Sequence, residues 1–169
     1  MGDPLTGLAN RTRFFDILDR HAAAGVGYGV CYVDLDRFKP INDTYGHQVG
    51  DEVIITCARR LERVAREGVD LVARLGGDEF AVACAGVDAT RLEAIAERLT
   101  HTLSQAFEVR GTMILIGASV GCAMAPPGSE PDSVVGAADV ALYRAKRAGG
   151  GEWRRAEVID DGMAEDAHP

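Results

Sequence analysis

The sequence predicts an α+β fold, a mostly antiparallel central sheet flanked by helices on the ferredoxin-like split βαβ plan. Three observations carry this. The continuous apolar run Tyr28-Gly29-Val30-Cys31-Tyr32-Val33-Asp34-Leu35-Asp36 has the length and the Val and Tyr content of a strand covered on both faces. Two shorter runs, Asp70 to Leu75 and Phe80 to Cys84, flank Gly76-Gly77 and read as strand, tight turn, strand. Stretches with apolar residues at helical spacing separate these runs, and a further strand is expected to end near Met124.

Each element has its own signal. Asn10 is a plausible N-cap for a helix from Arg11 to about Ala24, with Phe14, Ile17, Leu18 and His21 at helical spacing and Gly25-Val26-Gly27 ending it. After the first strand, Arg37 to Gly46 reads as a short helix that tolerates Pro40 in its first turn. Asp51 could cap a longer helix ending near Gly68, in which Val53, Ile54, Cys57, Ala58, Leu61 and Val64 form the apolar stripe. Beyond the hairpin, Thr90 and Glu93 have capping-box spacing for a helix running to about Ala106. A second β pair is expected from Phe107 to Arg110 and from Met113 to Met124, turning at Gly111-Thr112. The last helix is expected from Asp132 or Ser133, with Val135, Ala138, Ala141, Leu142 and Ala145 buried, and Trp153 to Ile159 hints at one more strand.

Composition narrows the function classes. At 169 residues the chain suits one domain, read as residues 3–159, with the acidic residues 160–169 expected to be disordered. No apolar run is long enough to cross a bilayer and Met1-Gly2-Asp3 does not begin a signal peptide, so the expectation is a soluble cytoplasmic protein without membrane contact. Met1-Gly2 stands directly ahead of a motif, so an upstream regulatory region is expected to be missing from this chain. A net charge of -8 argues against nucleic acid as a partner, because a polyanion needs a basic surface. Cys31, Cys57, Cys84 and Cys122 stand apart among apolar neighbours and read as small buried hydrophobes.

The chemistry concentrates in acidic residues. Asp34 and Asp36 end the central strand and share one face of it if the chain is still extended, although a lone terminal Asp is more often the cap of the helix that follows, here from Arg37. Asp78 and Glu79 are adjacent carboxylates at a hairpin tip, which repel each other unless a cation joins them. The split βαβ plan sets Asp34 beside that tip, and Mg²⁺ ions would resolve the cluster.

Pooled in order, these motifs resemble the GGDEF domains, diguanylate cyclases with a nucleotidyl cyclase palm-like core, across nearly the whole chain. The resemblance rests on Asp3-Pro4-Leu5-Thr6-Gly7-Leu8-Ala9-Asn10-Arg11, on Asp34-Leu35-Asp36-Arg37-Phe38-Lys39-Pro40-Ile41-Asn42-Asp43 with Gly46-His47 and Gly50-Asp51, and on the intact Gly76-Gly77-Asp78-Glu79-Phe80. Ala118-Ser119-Val120-Gly121 and Asp139 to Lys146 extend it. It implies joining of two GTP molecules into cyclic di-GMP with release of pyrophosphate. Asp34, the Leu35 carbonyl, Asp78 and Glu79 would then hold two Mg²⁺ ions, or Mn²⁺ in their place. Asp78 would accept the ribose 3′-hydroxyl proton, and Lys39, the main chain around Phe38 and Lys146 would meet the phosphates. Asn42 and Asp51 would read guanine; His47 would support that pocket or make a buried structural contact. A two-fold product implies a homodimer of domains, normally brought together by an upstream sensory or dimerisation module.

Two positions depart from the family pattern. Gly150 stands where the family usually carries a phosphate-binding Arg, leaving Arg147 or Arg154 to substitute. Glu67-Gly68-Val69-Asp70 replaces the Arg-x-x-Asp product-inhibition motif, so weak or absent feedback is expected there, with Arg66 a poor replacement. Three alternatives remain at this level: a GTP-binding regulatory module that no longer cyclises, a cyclase for an adenine-containing product, which Asp51 opposes, and a structural dimer module, which leaves the acidic cluster unexplained.

Overall fold

The apolar run forms strand β1, Tyr28–Asp36, with the predicted bounds. The computed structural model describes residues 2–157. Helix α1, Arg11–Ala23, precedes β1, and its N-cap is Asn10, whose side chain accepts from the Arg13 amide. Gly25 closes it with φ 68. Helices α2, Phe38–Tyr45, and α3, His47–Val64, lead to the hairpin strands β2, Leu71–Gly76, and β3, Glu79–Ala85. Helix α4, Ala89–Leu103, a two-stranded ribbon of β4, Phe107–Val109, and β5, Thr112–Ile114, then β6, Gly117–Met124, helix α5, Pro131–Arg147, and β7, Trp153–Arg155, complete the order.

The main sheet runs β2-β3-β1-β6-β7, with β1 antiparallel to both β3 and β6 and β7 parallel to β6. This is the expected split βαβ plan with one strand added at the edge. Period-two alternation divides the core. Cys31, Val33 and Leu35 pack with Val53, Ile54, Leu61, Leu92 and Leu99 of α3 and α4. Tyr28, Val30 and Tyr32 pack with Phe14 and Leu18 of α1 and Val134, Ala138 and Leu142 of α5. Continuing the even-numbered face, Asp34 and Asp36 emerge on the α1 and α5 side. Helix α5 lies so close to β6 that a Cβ at Gly121 would stand 2.0 Å from the Ala138 carbonyl oxygen and 2.2 Å from the Leu142 nitrogen. All four cysteines are free and buried, on the α3 and α4 side of the sheet, as expected of small hydrophobes.

Five local expectations are corrected, the last being the ribbon's turn, expected at Gly111-Thr112. Asp51 is not a cap, because α3 already begins at His47 and Asp51 lies in its second turn. That helix ends at Val64, short of Gly68. The α4 cap is Asp88, whose carboxylate accepts from the Arg91 amide at 2.8 Å, which places Thr90 inside the first turn. The long strand expected from Met113 breaks after Ile114: β5 pairs only with β4, and the chain re-enters the main sheet at Gly117. The ribbon turns at Arg110-Gly111, both at positive φ (50 and 82), the geometry that matches strand twist. β7 covers the first three residues of the predicted last strand, whose end, like the expected acidic tail 160–169, lies outside the described residues. Among the described residues no helix is long and apolar enough to cross a membrane.

Candidate active site

Pairing of β1 with β3 sets Asp34 directly opposite Glu79, and pairing of β1 with β6 sets Asp34 opposite Ser119. Asp78 lies in the tight turn between β2 and β3, and its carbonyl accepts from the Leu35 amide at 3.2 Å, fastening the turn to the end of β1. Gly76 (φ 151) and Gly77 (φ 46) supply the backbone this turn needs, next to a register shift between Arg74 and Gly76. Arg74 braces the turn from below: Nε and Nη2 donate to the Gly77 carbonyl at 3.0 and 2.8 Å, and Nη1 reaches Asp3 at 3.2 Å. Asp3 itself accepts from the Thr6 amide and hydroxyl, so the lead-in is anchored to the hairpin.

Lys146 enters this cluster from α5. Its Nζ lies 3.3 Å from Asp34 Oδ2 and 3.4 Å from Asp36 Oδ1. The Tyr32 hydroxyl, one alternation below Asp34, donates to Glu79 Oε1 at 3.1 Å. Asp34 is only 19% exposed. Burial, and after it the negative charge of Asp78, pushes its carboxyl up to about 6, with Lys146 pulling the other way and Glu79 adding to the rise. Burial and Glu79 push the Tyr32 phenol up to about 12, so it remains a donor at neutral pH. Among the described residues no three His, Cys, Asp or Glu side chains converge in a metal-binding arrangement; the ammonium of Lys146 contacts both aspartates of β1 instead.

The chain turns out of β1 through Arg37, a non-glycine residue in the left-handed region (φ 59), and the first turn of α2 receives no side-chain cap. Successive main-chain amides in such a turn form a concavity suited to an anion. Phe38 is half-buried and Lys39 exposed there. Asn42 packs against α3 where Gly50 leaves room: a Cβ on Gly50 would stand 1.7 Å from Asn42 Oδ1. That contact sets Asn42 beside the turn of α3 that carries Asp51, which is exposed. His47 is exposed at the start of α3, so its alternative reading as a buried contact falls. Arg110, from the tip of the β4–β5 ribbon, braces this end of α3 through Glu52 (3.0 Å) and Gln48 (2.9 Å).

The structure thus brings Asp34, Asp78, Glu79 and Lys146 into one cluster and Asn42 against α3 near Asp51, whereas the Lys39 and His47 side chains make no hydrogen bond among the described residues. Sequence reasoning missed Tyr32, Ser119 and the engagement of Asp36. The period-two face shared by Tyr32, Asp34 and Asp36 was the available signal. At the departures, Gly150 has φ 78, Arg147 donates to the Tyr143 hydroxyl and Arg154 pairs with Glu152. Glu67 is exposed, while the fully buried Asp70 side chain takes a two-pronged contact from Arg66, at 2.6 and 3.0 Å. A cavity of about 870 Å³ opens at the start of β2, lined by Arg13, Arg63 and, from the expected feedback position, Arg66, Glu67 and Asp70 among others; none of the residues expected to meet substrate or metal borders it.

Residues 1–152 match the family model described as diguanylate cyclase, GGDEF domain. The chain is similar to the coiled coil and GGDEF domain of DgcB from Caulobacter crescentus in complex with c-di-GMP: 37% identity, TM-score 0.85, covering 92% of this chain and 85% of that one. A truncated TpbB from Pseudomonas aeruginosa comprising only the GGDEF domain is similar at 35% identity, TM-score 0.89, covering 98% and 99%. The cyclic di-GMP phosphodiesterase PdeR of Escherichia coli is 37% identical over 155 residues, which are 89% of this chain and 23% of that protein. The chain spans about a fifth to two fifths of the length of the curated relatives it matches.

Proposed function

The chain belongs to the GGDEF family of diguanylate cyclase domains, and from that premise we propose that residues 3–159 form a catalytic domain that condenses two GTP into cyclic di-GMP and two pyrophosphates. The observation that supports this reading is Asp34 at the end of β1, opposite Glu79 and in contact with Lys146, with the Asp78 turn fastened to Leu35 and the uncapped start of α2 close by in the chain.

The donor set fits divalent cations. Burial first, then the charges of Asp78 and Glu79, raises the Asp34 carboxyl to about 6; a cation would offset both effects, and all the donors are oxygens. Asp34, the Leu35 carbonyl, Asp78 and Glu79 would hold two Mg²⁺, or Mn²⁺. When bound, these ions would neutralise phosphate charge and acidify the ribose 3′-hydroxyl. Tyr32, donating to Glu79, orients that carboxylate.

The remaining work falls to the chain. The amides from Arg37 to Lys39 and the Lys39 side chain grip phosphate oxygens, and Lys146 meets the terminal phosphates. Asp51 accepts from guanine N1 and N2 while the Asn42 amide donates to N3, a pairing adenine does not offer; His47 lies at the rim of that pocket. Each 3′-oxygen attacks the α-phosphorus of the GTP held by the partner domain. A new P–O bond forms, the bond to pyrophosphate breaks, and the 3′ proton passes to Asp78. One domain holds one nucleotide, so a homodimer is required. An upstream dimerising segment would supply it, in keeping with the coiled coil that accompanies the GGDEF domain in the similar DgcB structure.

The test is incubation of the protein with GTP and Mg²⁺ across a concentration series. Cyclic di-GMP should appear at a rate that rises more than linearly with protein. Two observations favour one second reading, a GTP-binding regulatory module: Gly150 gives no phosphate contact, and two of the similar proteins carry the name cyclic di-GMP phosphodiesterase. Tight GTP binding with no product at any protein concentration would select it.

A further inference from the structure

Asp36 lies on the same strand face as Asp34, and its expected alternative as a helix cap fails, because Arg37 holds the N-cap position of α2 and no side chain caps that helix. Its carboxylate is instead engaged from three other elements. Oδ1 accepts from the Ser119 hydroxyl of β6 at 2.7 Å and from Lys146 Nζ of α5 at 3.4 Å. Oδ2 accepts from the Gly151 amide, between α5 and β7, at 2.8 Å. The side chain is 18% exposed. A carboxylate has about four lone-pair sites, and three of them are taken.

Glycine at 150 is part of the same arrangement. It sits in the left-handed region, and a Cβ there would stand 2.9 Å from Asp36 Oδ2 and 3.1 Å from Oδ1. The loop closes onto Asp36 because position 150 has no side chain, and the closure delivers the Gly151 amide. Putting back an arginine would press a β-carbon against that carboxylate and strain the backbone.

Resting on the nucleotide reading above, we propose that Asp36 is a positioning residue. It holds Lys146 and the Gly149–Gly151 loop at the phosphate end of the site, and it is not a metal ligand. Two aspartates on one strand face thereby divide the work: Asp34 exchanges Lys146 for a cation, while Asp36 keeps the lysine within reach for the phosphates. The Gly149–Gly151 loop gives up the family's arginine in return for a tighter hold on the one lysine that remains there.

The chain has only two lysines, Lys39 and Lys146, which permits a readout that needs no nucleotide. Mild acylation of the full chain, quantified by mass spectrometry, should modify Lys146 several-fold faster in Asp36→Asn, with Lys39 unchanged as internal control. Ser119→Ala, which keeps the carboxylate but removes one of its donors, should shift the rate the same way by less, and it serves if Asp36→Asn does not fold. Binding of a non-hydrolysable GTP analogue with Mg²⁺ should weaken about tenfold in Asp36→Asn but less than twofold when Lys146→Met is already present. Titration with Mn²⁺ alone should be unaffected by Asp36→Asn. An unchanged Lys146 acylation rate, or equal nucleotide losses in both backgrounds, would overturn the proposal, as would a fall in Mn²⁺ affinity. If the parent protein binds no GTP analogue, the nucleotide reading fails alone, and the acylation rates still decide whether Asp36 holds Lys146.

Discussion

Replacing Asp34 by Asn should make the metal-free protein more stable at neutral pH. The carboxyl is raised from 3.8 to about 6, so the folded state binds its proton more tightly than the unfolded state does. Stability therefore falls as pH rises from about 4 through about 6, and above that the ionised group costs the fold roughly 3 kcal/mol at about 1.36 kcal/mol per pH unit. Asn keeps the shape without the charge. It should recover up to ~3 kcal/mol at about pH 7.5, about half of that near pH 5, and nothing below about pH 4. For a chain of 169 residues that corresponds to a melting temperature higher by roughly 6–12 °C at about pH 7.5. Thermal melts followed by circular dichroism in EDTA at both pH values measure this. Millimolar Mg²⁺ should then raise the parent's melting temperature at about pH 7.5 far more than near pH 5, and leave the variant unmoved. A variant no more stable than the parent in EDTA at neutral pH would refute the electrostatic account of the cluster.

Three further outcomes follow from close contacts and from one ion pair. Gly121→Ala should destabilise by about 3 kcal/mol or more, because the added carbon meets main-chain atoms of α5; a urea midpoint matching the parent's would contradict this. Gly50→Ala should leave the fold near parental stability, since alanine favours a helix interior by about 1 kcal/mol, yet weaken GTP-analogue binding about tenfold by displacing Asn42. Calorimetry with equal affinity in the two proteins would remove Asn42 from the guanine pocket. Cyclic di-GMP should bind the parent weakly at the Glu67 site, because Arg66 is committed to Asp70, and tight binding that responds to Glu67→Ala would show that feedback survives.

The elements with long periodic patterns were legible in the sequence. β1 and the buried stripes of α3 and α5 appear where the apolar spacing put them, because burial on both faces of a strand or along one stripe of a helix dictates residue type at every turn; the ends of both helices do not. What could not be read was decided by competition between near-equivalent local choices. Asp88 took the cap two residues ahead of Thr90, and the chain leaves one sheet for another at Leu115-Ile116, where an unbroken apolar run hides the break and Gly117 alone follows it. In the site, the residues of the contiguous motifs were found, whereas Ser119 and the loop at Gly150-Gly151 were not linked to Asp36. Those links span 83 and 115 residues of chain, and no local pattern encodes them.

The four buried thiols give this fold a clock. Cys31 lies opposite Cys122 across the β1–β6 pairing, all four thiols are buried out of a reagent's reach while the sheet is closed, and burial holds those of Cys57 and Cys122 up at about 12. Labelling should wait for the interior to open, and the lag then reports how often that happens. Any nucleotide or cation that favours the closed form lengthens the lag, so occupancy can be timed with a mass spectrometer and an unmodified chain.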